Sequence, residues 1–302
     1  DHPRCDRRAI WSCPVSQDSD CQLMTTYTNK HGLPKSICDA VANDPYVGGG
    51  DISATKLIDA PQIMQLTRQH KDEITVDVSD RVWSLFGQAI HSLLERAGLR
   101  REGMVVEERL FATMLGWEVS GQYDSMDLEA KMISDYKVTT VYKARGSDSW
   151  TRQLNVLRWL AVKNGHTVDR LEVIAIFRDW RKSEAMRSSD YPQSPILSLR
   201  IPVWDIQDTE DYVADRVSLH QAAANGVHIP CSDEERWASP TKFALMKDGN
   251  KRAVRLSDTR EGLGVPTEGQ SIVERKGEFK RCERYCDVSA FCQQRLTGGD
   301  DA

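Results

Sequence analysis

The chain has 302 residues, of which 40% are hydrophobic and 28% are charged, a globular composition that excludes a coiled coil and a disordered chain. No apolar run approaches the ~20 residues that span a bilayer, and the amino-terminal sequence lacks the apolar core of a secretion signal, so we expect a cytoplasmic protein without membrane contact. The formal net charge of −5 gives no overall indication of nucleic-acid binding, although the range 242–281 contains ten Lys/Arg against six Asp/Glu.

The first 23 residues show little periodicity, and Gly48-Gly49-Gly50 marks a flexible joint. We therefore expect residues 1–50 to be a poorly ordered N-terminal extension. Met24 reads as a natural start, so we expect residues 1–23 to be an extension or a wrongly assigned start. The pattern divides the rest into a main domain at 51–225 and a tail at 226–302, with a basic hairpin and a cysteine cluster.

The first clear element of the main domain is a helix over 80–98, where apolar residues recur at helical spacing. A short helical pair interrupted near Pro61 precedes it. At 100° per residue, His91 falls opposite the centre of the apolar stripe. A lone histidine is usually structural, but its position away from the stripe favours a ligand role.

Three extended segments follow at 104–111, 116–126 and 131–142, and the turn LEAK joins the last two. A helix over 149–165 and an apolar strand over 170–180 come next. The predicted core order is therefore α-β-β-β-α-β, an α/β fold with a mixed sheet flanked by helices, extended by a further strand and helix.

The second and third segments carry charged residues with chemical meaning. Asp135 and Lys137 lie at positions i and i+2 of one strand and point to the same face, and the short turn brings Asp124 close. Two carboxylates at one place repel each other, and a divalent cation removes that penalty. A D-x-K pattern alone is weak, because it also occurs as a solvated salt-bridge pair on surface strands.

Four short motifs occur in a meaningful order: GQAIH with His91, GQYD with Asp124, SDYK with Asp135 and Lys137, and QLNVLRW with Gln153. This set resembles the motifs of RecB-like nucleases in the PD-(D/E)XK superfamily, whose core order is also α-β-β-β-α-β. Within that superfamily, the motifs most resemble those of CRISPR-associated RecB-like exonucleases and their phage-encoded relatives. The resemblance covers residues 50–180 and the terminal cysteines, and implies a restriction-endonuclease-like core.

The resemblance implies a role for each matched residue. His91, Asp124 and Asp135 would bind Mg²⁺ or Mn²⁺, and the imidazole suits Mn²⁺ better. Lys137 would orient the attacking water and stabilise the transition state. Gln153 would orient DNA or the lysine, with an exposed helix residue as the alternative.

The sequence departs from the family pattern at one of these motifs. Where the family often has Tyr four residues after the Gln, this chain has Leu157, which puts substrate positioning in doubt. Glu107 and Glu108 precede the second strand of the core; we expect them to be an exposed pair, with a position near the metal as the alternative.

The carboxyl end contains the pattern C-x3-C-x5-C formed by Cys282, Cys286 and Cys292. Three thiols in eleven residues indicate a metal site that needs a fourth ligand. Related RecB-like nucleases hold an iron-sulfur cluster there, which implies a [4Fe-4S] cluster that staples the tail; zinc and unligated thiols are the alternatives.

The fourth ligand is not obvious from the sequence. In several relatives an upstream cysteine precedes a proline, but this chain has Ala60-Pro61 at that place. Cys231 is our substitute and Cys38 the alternative. The remaining cysteines have no partner pattern: Cys5, Cys13 and Cys21.

The resemblance predicts a Mg²⁺- or Mn²⁺-dependent deoxyribonuclease, an exonuclease rather than an endonuclease, in phage recombination or DNA processing. DNA would be the substrate, and a recombination or single-strand-binding protein a candidate partner. A non-catalytic DNA-binding protein on a nuclease fold and a redox-responsive iron-sulfur interaction protein remain alternatives. The tail hairpin could touch DNA phosphates or simply be solvated, through Lys247, Lys251, Arg252 and Arg255.

Overall fold

A computed structural model of the chain describes residues 26–43 and 48–297, so the expectations for Met24 and for Cys5, Cys13 and Cys21 lie outside the described residues. Within the described ranges, no helix is both long enough and apolar enough to cross a membrane. The helices are α1 (Lys35–Ala42), α2 (Ala54–Leu57), α3 (Pro61–Gln69), α4 (Val78–Gly98), α5 (Asp148–Lys163), α6 (Lys182–Arg187), α7 (Ile206–Ala224), α8 (Lys280–Arg284) and α9 (Gln293–Thr297).

The strands form several small sheets rather than one large sheet. They are β1 (Thr26–Thr28), β2 (Ile52–Ser53), β3 (Thr75–Asp77), β4 (Met104–Val106), β5 (Arg109–Met114), β6 (Trp117–Gln122), β7 (Ser125–Asp127), β8 (Met132–Thr139), β9 (Arg170–Phe177), β10 (Ile196–Ile201), β11 (Lys242–Lys247), β12 (Arg255–Ser257) and β13 (Gln270–Arg275).

The central sheet has five strands in the order β10-β9-β8-β7-β4. β8 and β9 are parallel, as expected for strands connected through a helix, while β7 and β10 run antiparallel to their neighbours. The predicted mixed sheet and the α-β-β-β-α-β order are therefore confirmed, with α4 as the first helix and α5 as the crossover.

Each of the first two predicted core strands is broken into two. The segment 104–114 divides into β4 and β5, and the segment 117–127 divides into β6 and β7. β4 and β7 join the central sheet, whereas β5 and β6 pair with β2 in a separate three-stranded sheet. Both strands of the hairpin therefore change sheets at the same level, near residues 107 and 124.

The main core lies between the central sheet and α5. Leu154, Leu157 and Leu160 of α5 are fully or almost fully buried against Val173 and Ala175 of β9. α7 packs beside α5 and extends this core. The burial of apolar side chains here is the main source of stability for the fold.

The residues before the main core are also packed where they are described. β1 pairs in parallel with β3, and Cys38 and Val41 of α1 are buried with Val78 at the start of α4. Asp77 caps α4 by accepting hydrogen bonds from the Ser79 backbone and hydroxyl groups.

The tail contains the predicted hairpin as β11 and β12, with Val254 and Leu245 hydrogen-bonded across it. β13 pairs with the other edge of β11. Among the described residues, four ion pairs join the tail to the main domain: Arg281 with Asp59, Arg216 with Glu235, Arg152 with Glu234 and Arg81 with Asp287.

Candidate active site

Asp135 and Lys137 lie on β8 and form an ion pair, with Lys137 Nζ 2.7 Å from Asp135 Oδ2. Asp135 is 2% exposed, whereas a quarter of the Lys137 side chain remains accessible. Burial raises the pKa of Asp135 to about 6, against the lowering effect of Lys137. Burial also opposes the charge on Lys137, but the carboxylates of Asp135 and Asp124 together raise the pKa of Lys137.

The backbone between these two residues positions the other predicted ligands. Beyond Ser134, β8 has no strand partner on the β7 side within the described residues, because the chain bends at Asp124 towards the other sheet. The Tyr136 N–H donates to Asp124 Oδ2 at 2.5 Å, and His91 Nε2 donates to the Tyr136 carbonyl at 2.9 Å. The peptide groups exposed by the diverging strands therefore hold both side chains in place.

The second ring nitrogen of His91 faces carboxylates. Nδ1 lies 3.4 Å from Asp124 Oδ1 and 3.9 Å from Glu107 Oε1. Hydrogen bonds that the ring donates to the carboxylates of Asp124 and Glu107 raise the pKa of His91 to about 10, against the lowering effect of its burial. Ligand atoms of these three residues lie within 4.8 Å of one another, a spacing suited to a single metal ion.

Glu107 corrects the expectation of an exposed glutamate pair. Its carboxylate accepts a hydrogen bond from Gln122 Nε2 at 2.6 Å, and Glu108 accepts one from the Tyr123 hydroxyl. Glu107 has a φ of 51°, in the left-handed region, and its N–H donates to the Asp124 carbonyl. Irregular backbone at paired strands often serves to direct a side chain into a site.

The register of one hairpin explains the position of Glu107. The β5–β6 hairpin turns at Leu115 and Gly116, both with positive φ, as in a type I′ turn. Its register pairs Met114 with Trp117. Counting back along both strands at this register places Glu107 opposite Asp124.

The orientation of α4 differs from the expectation drawn from its apolar stripe. Phe86 and Leu93 belong to that stripe but are 45% and 54% exposed. The helix instead packs against the sheet through a face that includes His91 and Gly98. A Cβ at Gly98 would lie 2.5 Å from Val106 Cγ1, so the missing side chain permits this close approach.

Gln153 lies half-buried on α5, and in the part of the chain that is described it makes no hydrogen bond to His91, Asp124, Asp135 or Lys137. Leu157, at the position of the family tyrosine, is buried in the main core. The role predicted for Gln153 therefore remains a prediction.

The structure brings four of the predicted cysteines to one cavity, and α3 closes it through Gln62, Ile63 and Leu66. The cysteines that line it are Cys231, Cys282, Cys286 and Cys292. In the described chain, no three of these sulfur atoms lie within 4.8 Å of one another.

Cys231 reaches this cavity from a distant part of the chain. Its N–H donates to Gln294 Oε1 at 2.9 Å, and Gln294 Nε2 donates to its carbonyl at 2.8 Å. Burial, with a contribution from Glu235, raises the pKa of Cys231 to about 12. Cys38 lies elsewhere, buried beside α4, and accepts a hydrogen bond from Asn29 Nδ2.

Comparison with known proteins finds only distant structural similarity. No protein-family model and no curated protein matches the sequence. The protein SSO0001 is 15% identical, with a TM-score of 0.45 over 67% of this chain and 88% of its own length. A protein of proposed exonuclease activity from Eubacterium rectale is 12% identical, with a TM-score of 0.30 over 55% of this chain and 63% of its own.

A phage-related exonuclease from Haemophilus somnus 129PT is also 12% identical, with a TM-score of 0.30 over 64% of this chain and 81% of its own. At these values the likeness identifies neither the family nor the activity of this chain.

Proposed function

We propose that this protein is a metal-dependent DNA nuclease, an exonuclease that hydrolyses phosphodiester bonds in phage recombination or DNA processing. The observation that carries the proposal is the cluster of His91 Nδ1 with Glu107 and Asp124, adjacent to the ion pair of Asp135 and Lys137. Asp135 and Lys137 belong to β8, and the peptide groups of Tyr136 between them bind Asp124 and His91.

The residues present fit a divalent cation. Because His91 Nε2 donates to the Tyr136 carbonyl, a cation that displaces the Nδ1 proton would meet the free electron pair on Nδ1, the atom that faces Asp124 and Glu107. Carboxylate oxygens suit Mg²⁺ and Mn²⁺, and the imidazole shifts the preference towards Mn²⁺. A cation held here supplies Lewis-acid activation of water and of the phosphodiester.

The protein's own groups supply charge and orientation. The ammonium of Lys137 remains protonated, is partly accessible and is fixed by Asp135, so it can stabilise negative charge that develops on phosphate oxygens. Asp124 is fixed through one oxygen by the Tyr136 N–H, which leaves the other oxygen directed at His91. Such preorganisation reduces the reorganisation needed during the reaction.

We further propose that Cys231, Cys282, Cys286 and Cys292 hold a [4Fe-4S] cluster that staples the tail to α3. The C-x3-C-x5-C pattern and the convergence of a fourth cysteine on the same cavity support this proposal. Because burial raises the pKa of Cys231, its thiolate needs a compensating metal charge.

Cleavage of end-labelled linear DNA tests the proposed activity. Single- and double-stranded substrates are incubated with Mn²⁺ or Mg²⁺, and wild type is compared with Asp124→Ala and Lys137→Ala. Asp169→Ala is the control, because this carboxylate is exposed and lies outside the cluster. We expect cleavage by wild type and the control, with release of mononucleotides from ends.

Two outcomes would contradict the proposal. Cleavage by all variants would indicate another site or a contaminant. No cleavage by any protein that retains its fold and binds DNA would favour a non-catalytic DNA-binding protein.

Visible absorbance of anaerobically purified protein tests the cluster, because zinc is d¹⁰ and colourless. We expect Cys231→Ser to lose most of the absorbance and iron, and Cys38→Ser to retain both. Loss of colour in Cys38→Ser alone, or stoichiometric zinc in colourless wild type, would contradict this assignment. A change in DNA binding on cluster oxidation, unaffected by Asp124→Ala, would favour the redox-responsive alternative.

A further inference from the structure

An exposed tryptophan is stacked with an arginine at the amino-terminal end of α4. The guanidinium carbon of Arg178 lies 4.2 Å from the centroid of the Trp83 ring, which makes a cation–π contact. Trp83 nevertheless remains 56% exposed. A large aromatic ring held in one orientation and still open to solvent provides a surface on which another planar group can stack.

Both residues of this pair are connected to the candidate active site, Arg178 through β8 and Trp83 through α4. The Arg178 N–H donates to the carbonyl of Thr139, two residues beyond Lys137 on β8. On α4, Trp83 precedes His91 by eight residues, which corresponds to about 12 Å along the helix axis. At 3.4 Å per step, this distance spans roughly three stacked nucleotides.

Beside this pair, where β8 and β9 end, the sheet has a positively charged edge. The segments 140–147 and 178–182 meet there, because Asp179 Oδ1 accepts a hydrogen bond from the Val141 N–H at 2.8 Å. Together they contain five Lys/Arg and one Asp, a balance of +4 in a chain whose net charge is −5. In the described ranges, four of the cations are exposed and have no ion-pair partner: Arg145, Arg178, Arg181 and Lys182.

We propose that Trp83 and Arg178 form a stacking platform for an unpaired base of single-stranded DNA, with the strand crossing the basic edge on its way to the metal site. This inference rests on the proposed nuclease function, because it assigns the strand that the site would cleave. Every base has a π face, so stacking on tryptophan tolerates any sequence. A base inside a duplex is already stacked on its neighbours, so the platform selects single strands or frayed ends.

Fluorescence anisotropy measures this binding without requiring catalysis. A labelled oligothymidylate of about ten nucleotides, and a blunt duplex of equal length, are titrated with full-length protein in EDTA. We expect Trp83→Ala to weaken single-strand binding about tenfold and duplex binding less than twofold. Trp83→Phe, which keeps a smaller aromatic face, should fall between wild type and Trp83→Ala.

Matched controls separate stacking from a general change in α4. Leu93→Ala removes an exposed apolar side chain from the same helix, and Arg100→Ala removes an exposed cation at its other end. Both should bind like wild type. Arg178→Ala should weaken binding and reduce the slope of log K against log salt by about one.

Failure of the platform and failure of the nuclease proposal give different results. If wild type cleaves DNA but Trp83→Ala and Trp83→Phe bind single strands as tightly as Leu93→Ala, the platform is refuted and the nuclease stands. Equal losses on single strands and duplex would also refute it. If no variant cleaves DNA while Trp83→Ala selectively loses single-strand binding, the platform stands without the nuclease.

Discussion

Asp77 is the residue whose substitution tests most directly how α4, and with it His91, is held. Its carboxylate accepts hydrogen bonds from the Lys30 N–H and the Thr28 hydroxyl, both at 2.8 Å, and from the Ser79 N–H and hydroxyl at 3.1 and 2.7 Å. Burial alone would raise the pKa of Asp77, but these donors together lower it from 3.8 to about 2. The charged form is therefore stabilised in the folded protein.

The size of this effect follows from linkage between protonation and folding. A pKa difference of about 1.8 units corresponds to about 2.5 kcal/mol of stability at neutral pH. Because the folded pKa is depressed, this stability is present above pH 3.8 and is lost as pH falls towards 2. The contribution should be about 1.3 kcal/mol at pH 3.

Urea unfolding of Asp77→Asn, followed by circular dichroism at pH 7, 4 and 3, measures the contribution. We expect a loss of about 2.5 kcal/mol at pH 7 that shrinks at pH 3, because wild type also becomes partly protonated there. Asp80→Asn is the control, since Asp80 lies in the first turn of α4 and is exposed. A loss at pH 7 below about 0.5 kcal/mol, or one unchanged by pH, would refute the reasoning.

Three further predictions concern other parts of the molecule. Gly121→Ala should destabilise the fold by about 1–3 kcal/mol in urea unfolding, because the added Cβ would lie 2.6 Å from Leu157 Cδ2; an unchanged midpoint would contradict this. Burial lowers the pKa of His220 to about 4, so below pH 6.5 the unfolded chain binds more protons than the folded protein. The free energy of unfolding should therefore fall by about 3 kcal/mol between pH 6.5 and 4, and His220→Gln should remove this dependence. Glu107→Gln should raise the Mn²⁺ concentration for half-maximal cleavage at least roughly tenfold, while Glu108→Gln should not; equal effects would remove Glu107 from the metal site.

The sequence was sufficient to predict the elements that local patterns define. The crossover helix α5 and the apolar strand β9 are readable because their periodicity reflects which side of a local element is buried. The spacing around His91 predicted the helix α4 but not the face through which it packs. The proximity of Asp135 and Lys137 follows from strand geometry alone, because alternate residues share one face.

The break in the first two core strands could not be predicted in this way. No local sequence pattern marks the residue at which β6 passes into β7, because the divergence depends on the pairing of β2 with the edge of β6. Yet this divergence leaves the Tyr136 peptide groups free for Asp124 and His91. It also brings Glu107 beside Asp124, which the sequence-based expectation had placed in an exposed pair.

By itself, the sequence determined the order of helices and strands, the D-x-K pair and the carboxyl-terminal cysteine pattern, because each depends on neighbours within a few residues. Only the tertiary structure decided that Cys231 rather than Cys38 lines the cavity with Cys282, and that Glu107 joins His91. The physical reason is that these contacts join distant segments, and the packing of α3, α4 and the diverging strands determines which side chains meet.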